Sequence, residues 1–202
     1  MKRSVASTLC AALLALAMIG CASGPHRGAD AGWVTLIDGA NGLENWTRVG
    51  DANWRPVDGT IQADQKTDKA ASFLLSKEVY RDFEIRAEFW VSDDANSGIY
   101  MRCADPAKLA DTTCYEANIF DQRPDPKYGT GAVVHLAAVS PMPKAGGRWN
   151  TYEITAKGSQ LTVMLNGVRT AQISDTKFAA GPLALQYASG VVKFRKVQIR
   201  RL

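Results

Sequence analysis

The stretch "LTVMLNGVRTAQI", residues 161–173, constrains the fold most. Asn166-Gly167 sits between two apolar runs. Both central residues of a two-residue hairpin turn need positive φ, which Asn and Gly tolerate best, so the pair predicts a tight β-hairpin. The segment "DFEIRAEFWVS" (82–92) alternates in the same sense. Phe83, Ile85, Ala87, Phe89 and Val91 face one way, and Glu84, Arg86, Glu88, Trp90 and Ser92 the other, as on a half-buried strand. "WNTYEITA" (149–156), "PLALQYA" (182–188) and "VVKFRKVQIRRL" (191–202) are also strand-like. Asp38-Gly39, Asn41-Gly42, Asp58-Gly59, Gly146-Gly147 and Gly181-Pro182 punctuate them, and no stretch holds a helical period for three turns. Closely spaced strands with turn signals predict an all-β sandwich or barrel.

The N-terminus has a different character. "MKRSVASTLCAALLALAMIGC" carries Lys2 and Arg3 ahead of a short apolar run, Ala11 to Ile19. That run is too short for a membrane span and has the flanks of a signal peptide. "MIGC" resembles a bacterial lipobox, which predicts a signal over residues 1–20 and lipidation at Cys21; a plain secretory signal is the alternative. Residues 21–31 read as a flexible tether, and residues 32–202 as one domain. Acyl chains on Cys21 would hold the protein to a membrane of the bacterial cell envelope, at its periplasmic face or in the outer membrane. Without Lys2 and Arg3 the chain has 22 basic against 20 acidic residues. That balance gives no argument for nucleic acid.

Cys103 and Cys114 then remain, flanking the polar loop "ADPAKLADTT". In an oxidising compartment they should pair, and closing such a loop stabilises by about 3 kcal/mol in the chain-entropy model. Two unpaired thiols are the alternative. No CxxC or nearby His supports a metal site. Nothing resembles a cofactor loop, and no acid cluster demands calcium.

"YEANIFDQ" (115–122) is a strand with an unusual cargo. Glu116, Asn118 and Phe120 share one face; Tyr115, Ala117, Ile119 and Asp121 share the other. Parity in "NSGIYMR" turns Ile99 and Met101 inward and Tyr100 and Arg102 outward, with Asn96 shaping a tight turn that ends in Gly98. "GAVVHLAA", read as a strand, sets Val133, His135 and Ala137 against Val134 and Leu136. "PLALQYA" sets Ala184, Gln186 and Ala188 against Leu183, Leu185 and Tyr187. If these faces coincide, one sheet presents Glu88, Trp90, Tyr100, Arg102, Glu116, Asn118, His135 and Gln186, with small Ala184 and Ala188 leaving room for a ligand. Each has a plainer reading. Arg102 can pair with Glu116 or Glu88, His135 can be a hydrogen-bonded sheet histidine, and Asp121 can cap a turn or reach into the site.

The order "GWVTLIDGANGLENW", "WRPVDGTI", "NSGIYMR", "YEANIFD", "WNTYEI…LNG", "GPLALQYASG" and "VKFRKVQIRRL" resembles the 3-keto-disaccharide hydrolase family, also called 3-keto-glycoside hydrolases or lyases. The resemblance spans residues 32–202. It departs where the family has Gln in "YEvQIxD" and this chain has the shorter Asn118, and where "FRN" is "FRK". The resemblance implies a concanavalin A-like jelly roll of two antiparallel sheets, and activity on sugars whose C3 hydroxyl is oxidised to a ketone.

Ordinary glycoside hydrolysis uses two flanking carboxylates. Jelly-roll glucanases place acids at i, i+2 and i+4 of one strand; here those positions are Glu116, Asn118 and Phe120. One base near a donor suits elimination instead. A C3 ketone acidifies the C2 proton; Glu116 or His135 would remove it and Arg102 would stabilise the enolate. Asn118, Asp121, Trp90, Tyr100, Glu88 and Gln186 would bind substrate. The alternative is a non-catalytic carbohydrate-binding lipoprotein on the same fold.

Overall fold

The computed structural model describes residues 32–202. The signal segment, Cys21 and the tether lie outside the described residues. The domain is built from thirteen strands and two single-turn 3₁₀ segments, with no α-helix among the described residues. In chain order the strands are β1 (Trp33–Asp38), β2 (Trp46–Val49), β3 (Arg55–Val57), β4 (Thr60–Ala63), β5 (Ser72–Ser76), β6 (Phe83–Val91), β7 (Asn96–Met101), β8 (Tyr115–Ile119), β9 (Trp149–Lys157), β10 (Gln160–Leu165), β11 (Val168–Ser174), β12 (Ala184–Ser189) and β13 (Val192–Arg201).

They form two antiparallel sheets. The larger runs β11-β10-β9-β6-β13-β4-β3, with β1 also on β13; the smaller runs β2-β5-β12-β7-β8. This is a jelly-roll sandwich. Alternation sets the inner face of each sheet. Along β6, Phe83, Ile85, Ala87, Phe89 and Val91 are buried while the residues between them are partly or fully exposed. Tyr115, Ala117 and Ile119 of β8, with Leu183, Leu185 and Tyr187 around β12, supply the opposing layer. Phe89 stacks on Tyr152 at 5.1 Å between ring centres. Burying a ring of this size stabilises by about 1.5–3 kcal/mol. Asn166 (φ 52°) and Gly167 (φ 78°) form the hairpin turn between β10 and β11.

Three features depart from the sequence reading. "GAVVHLAA" is not a strand: Val133 bridges Ala137 and His135 has φ 64°, so the chain doubles back there. The turn before β7 lies earlier than expected, with Ala95 N–H donating to Ser92, and Gly98 sits inside the strand. Strand β6 belongs to the larger sheet, so its polar face points away from β7, β8 and β12.

Candidate functional site

The antiparallel register of the smaller sheet assembles the site. Ala184 pairs with Tyr100, and Tyr100 with Glu116; one rung on, Gln186 pairs with Gly98, and Gly98 with Asn118. Because alternate residues share a face, Ala184, Gln186, Gly98, Tyr100, Glu116 and Asn118 lie together on the outer side of the sheet. Gly98 is needed there for space, not for a turn. A Cβ at that position would stand 2.7 Å from Glu116 Oε1. The Glu116 carboxyl therefore lies over Gly98, in the gap between the Gln186 and Asn118 amides.

Polar groups in this patch are buried and incompletely satisfied. Glu116 is 5% exposed and Asn118 is fully buried. Asn118 Nδ2 donates to the Tyr128 carbonyl at 2.7 Å, which fixes the amide's orientation because a carbonyl can only accept. Asn118 Oδ1 and Gln186 Oε1 then have no hydrogen-bond partner among the described residues. Leaving such groups buried is costly unless something donates to them. Gln186 Nε2 donates to the Tyr100 hydroxyl at 3.0 Å.

Burial pushes the Glu116 carboxyl from its ordinary 4.5 up to about 7. The Tyr100 hydroxyl offsets part of that rise, although the pair does not close a hydrogen bond of normal geometry. Asp111 raises the value further and Arg123 lowers it. The Tyr100 phenol is pushed well above its usual range, first by burial and then by the Glu116 charge, so it remains a proton donor. A carboxyl that titrates near neutrality beside a permanent donor is suited to acid–base work.

Two loops make the rim. The Cys103–Cys114 disulfide closes one of them. Cys103 and Cys114 join Phe73, Leu75, Tyr100 and Ala184 in a small buried cluster, with Leu109 packed against it. That contact fills the space expected beside Ala184, which is fully buried. The same loop presents Asp111, whose Oδ2 lies 3.1 Å from His135 Nε2. The His135 side chain is about half exposed and its ring meets Tyr128 edge-on at 5.7 Å. His135 is thus a rim residue on a turn, not a sheet histidine.

Tyr100, Glu116, Asn118 and Gln186 are brought together, with His135 at the rim. Four other residues sit elsewhere. Arg102 follows the end of β7 in a left-handed conformation (φ 51°), which turns its side chain away from Glu116. Its guanidinium is buried, donating to the carbonyls of Arg81, Gly158 and Phe178 and to Asp82 Oδ1 at 3.1 Å. Neither Glu116 nor Glu88 is its partner. Glu88 and Trp90 lie on the outer face of the larger sheet, paired with Arg195 and capped by Lys193 at 4.9 Å. Asp121 ties loops together, accepting from Thr130 Oγ1 and from the Ala145 and Gly146 amides. Asp111, Arg123 and Tyr128 escaped the sequence reading. They lie in aperiodic loops, and their only signal was adjacency to the cysteine pair and to "YEANIFD". Among the described residues no group of three His, Cys, Asp or Glu side chains is arranged to hold a metal ion.

The family described as the 3-keto-alpha-glucoside-1,2-lyase-like domain matches residues 32–200. The fold is similar to that of a candidate glycosyl hydrolase from Parabacteroides distasonis, with a TM-score of 0.71 at 19% identity over 85% of this chain and 94% of that one. It is also similar to a protein of unknown function with a galectin-like fold from Bacillus subtilis (TM-score 0.61, 11% identity, 79% and 90% covered). The carbohydrate-binding module CBM66 from Bacillus subtilis superposes with a TM-score of 0.52 at 17% identity (84% and 95% covered). No curated protein matches the chain.

Proposed function

Since the chain belongs to the family of 3-keto-alpha-glucoside-1,2-lyase-like domains, we propose that it is a carbohydrate-active enzyme that cleaves 3-keto-glycosides by β-elimination. The observation that carries this reading is the Glu116 carboxyl, buried and raised to about 7, beside the donor Tyr100. Glu116 removes the C2 proton, and the electron pair of the C2–H bond moves into an enolate on the C3 oxygen. Tyr100 donates a hydrogen bond to that oxygen, where the charge develops. The enolate collapses, the bond from C1 to the aglycone oxygen breaks, and the aglycone takes a proton. His135, held by Asp111 at the solvated rim, supplies it. The sugar leaves as an enone, or adds water at C1 to complete a net hydrolysis. His135 as base and Glu116 as acid is the same chemistry with the two roles exchanged.

A 3-keto-disaccharide incubated with the protein should release its aglycone and develop an enone absorbance. Absence of both would refute the assignment. A non-catalytic carbohydrate-binding protein is the second reading. It is favoured by the 5% exposure of Glu116, which leaves the carboxyl little surface to offer a sugar. Tight binding of a 3-keto-disaccharide without turnover or C2 exchange would select it.

We also propose that Cys21 is lipidated and tethers the domain in the bacterial cell envelope, on the strength of "MIGC" behind a basic, apolar leader. Labelled fatty acid should enter the wild-type protein and not Cys21→Ala; a wild type that takes up no label would refute the anchor.

A further inference from the structure

We propose that a second cleft, separate from the Glu116 cluster, binds a small soluble organic anion with an apolar body. It lies between the β10–β11 hairpin and the loop that follows Val139, and has a volume of about 480 Å³. That is within the size range of small-molecule sites. Its walls are Val139, Pro141, Met142, Pro143, Leu165 and Val168, joined by Arg148 and Arg169. Val139 and Leu165 are buried, whereas Val168 is 65% exposed, so apolar surface is open to water at the mouth.

The charges select the ligand. Arg55, Arg102, Arg195 and Arg200 each meet a carboxylate within 4 Å. Arg148 and Arg169 meet none among the described residues; Arg148 donates to the Lys144 carbonyl, and Arg169 to Gln172 Oε1 at 3.0 Å. Each guanidinium has five N–H donors in a planar fork, so donors remain for an incoming carboxylate or phosphate. Among the described residues, none that lines the cleft is acidic, to hold a cation, or aromatic, to stack a neutral sugar. An apolar wall with two uncommitted guanidinium groups fits a ligand with a hydrocarbon or aryl body and an anionic end. Ser140, Asn166 and Thr170 also line the cleft; Asn166 is engaged by the Thr151 amide and by Asn150, and Thr170 donates to the Val163 carbonyl at 3.4 Å.

Phenyl phosphate is a direct probe. Calorimetric titration should detect its binding to the wild-type protein, with amide resonance shifts centred on Val168 and Met142. Benzyl alcohol, which lacks the charge, should bind at least about ten-fold more weakly, and so should phenyl phosphate to the R148Q/R169Q double variant. Both arginines are exposed, so the variant should unfold at the wild-type temperature. Equal binding to wild type and double variant would overturn the proposal. So would an absence of binding, or association only with phosphatidylglycerol vesicles, which would assign the arginines to a membrane surface.

Discussion

Replacing Glu116 by Gln should remove a pH dependence of stability that the fold itself creates. The carboxyl is held near 7 in the folded domain against an ordinary 4.5, chiefly by burial. A folded value above the unfolded one means that the native state binds the proton more tightly. The stabilisation is fully present below 4.5 and is lost as the pH rises through 7. At 1.36 kcal/mol for each tenfold difference in proton affinity, the gap amounts to about 3 kcal/mol. Gln keeps the shape and cannot ionise. At pH 4 the variant should unfold near the wild-type midpoint. At pH 8.5 it should be more stable by about 3 kcal/mol, or about 6–12 °C in Tm for a domain of this size. Urea and thermal unfolding of wild type and E116Q at both pH values, with the disulfide intact, measure this. A difference between the proteins that does not change with pH would mean that Glu116 ionises freely in the native state, and the burial argument would fail.

Three further outcomes follow from the same geometry. Gly98→Ala sets a Cβ 2.7 Å from Glu116 Oε1, so it should cost about 1–3 kcal/mol and move the carboxyl, seen as a changed Glu116 titration by NMR. Arg102→Lys cannot reproduce the guanidinium's contacts to three carbonyls and Asp82, and should cost roughly 3 kcal/mol in urea while leaving turnover per folded molecule unchanged. Reducing the Cys103–Cys114 bridge should cost about 3 kcal/mol, and neither of these two cysteines should react with a thiol reagent in unfolded, unreduced protein.

The fold was legible because its signals are local. Period-two burial in β6 and the Asn166-Gly167 turn follow from side-chain geometry within a few residues. The pairing of Cys103 with Cys114 was legible from the signal-like leader, which predicts an oxidising compartment, and from their place on either side of one polar loop. The site was legible only in part, because a shared face requires knowing which strands are neighbours. Tyr100, Glu116, Asn118 and Gln186 meet because β8, β7 and β12 are adjacent. Glu88 and Trp90 have the right parity on the wrong sheet. Arg102 shows how one backbone angle overrides parity: a left-handed residue at a strand end redirects a side chain that alternation would send outward. The strand placement of His135 failed for the same reason, since its positive φ belongs to a turn that the apolar run concealed. Asp111 and Arg123 act on Glu116 across loops without periodicity, so no pattern could have exposed them.

The most direct test of the account is solvent-deuterium exchange at C2 of a 3-keto-disaccharide, compared with the unoxidised disaccharide. Elimination with Glu116 or His135 as the base predicts deuterium at C2 of the keto sugar, even where the aglycone is retained. It predicts no reaction of the parent sugar, whose C2 proton is not acidic. The E116Q variant should lose exchange if Glu116 is the base, and His135→Ala if His135 is. Rapid cleavage of the unoxidised disaccharide, without exchange at C2, would contradict the mechanism and point to a hydrolase of the ordinary two-carboxylate kind.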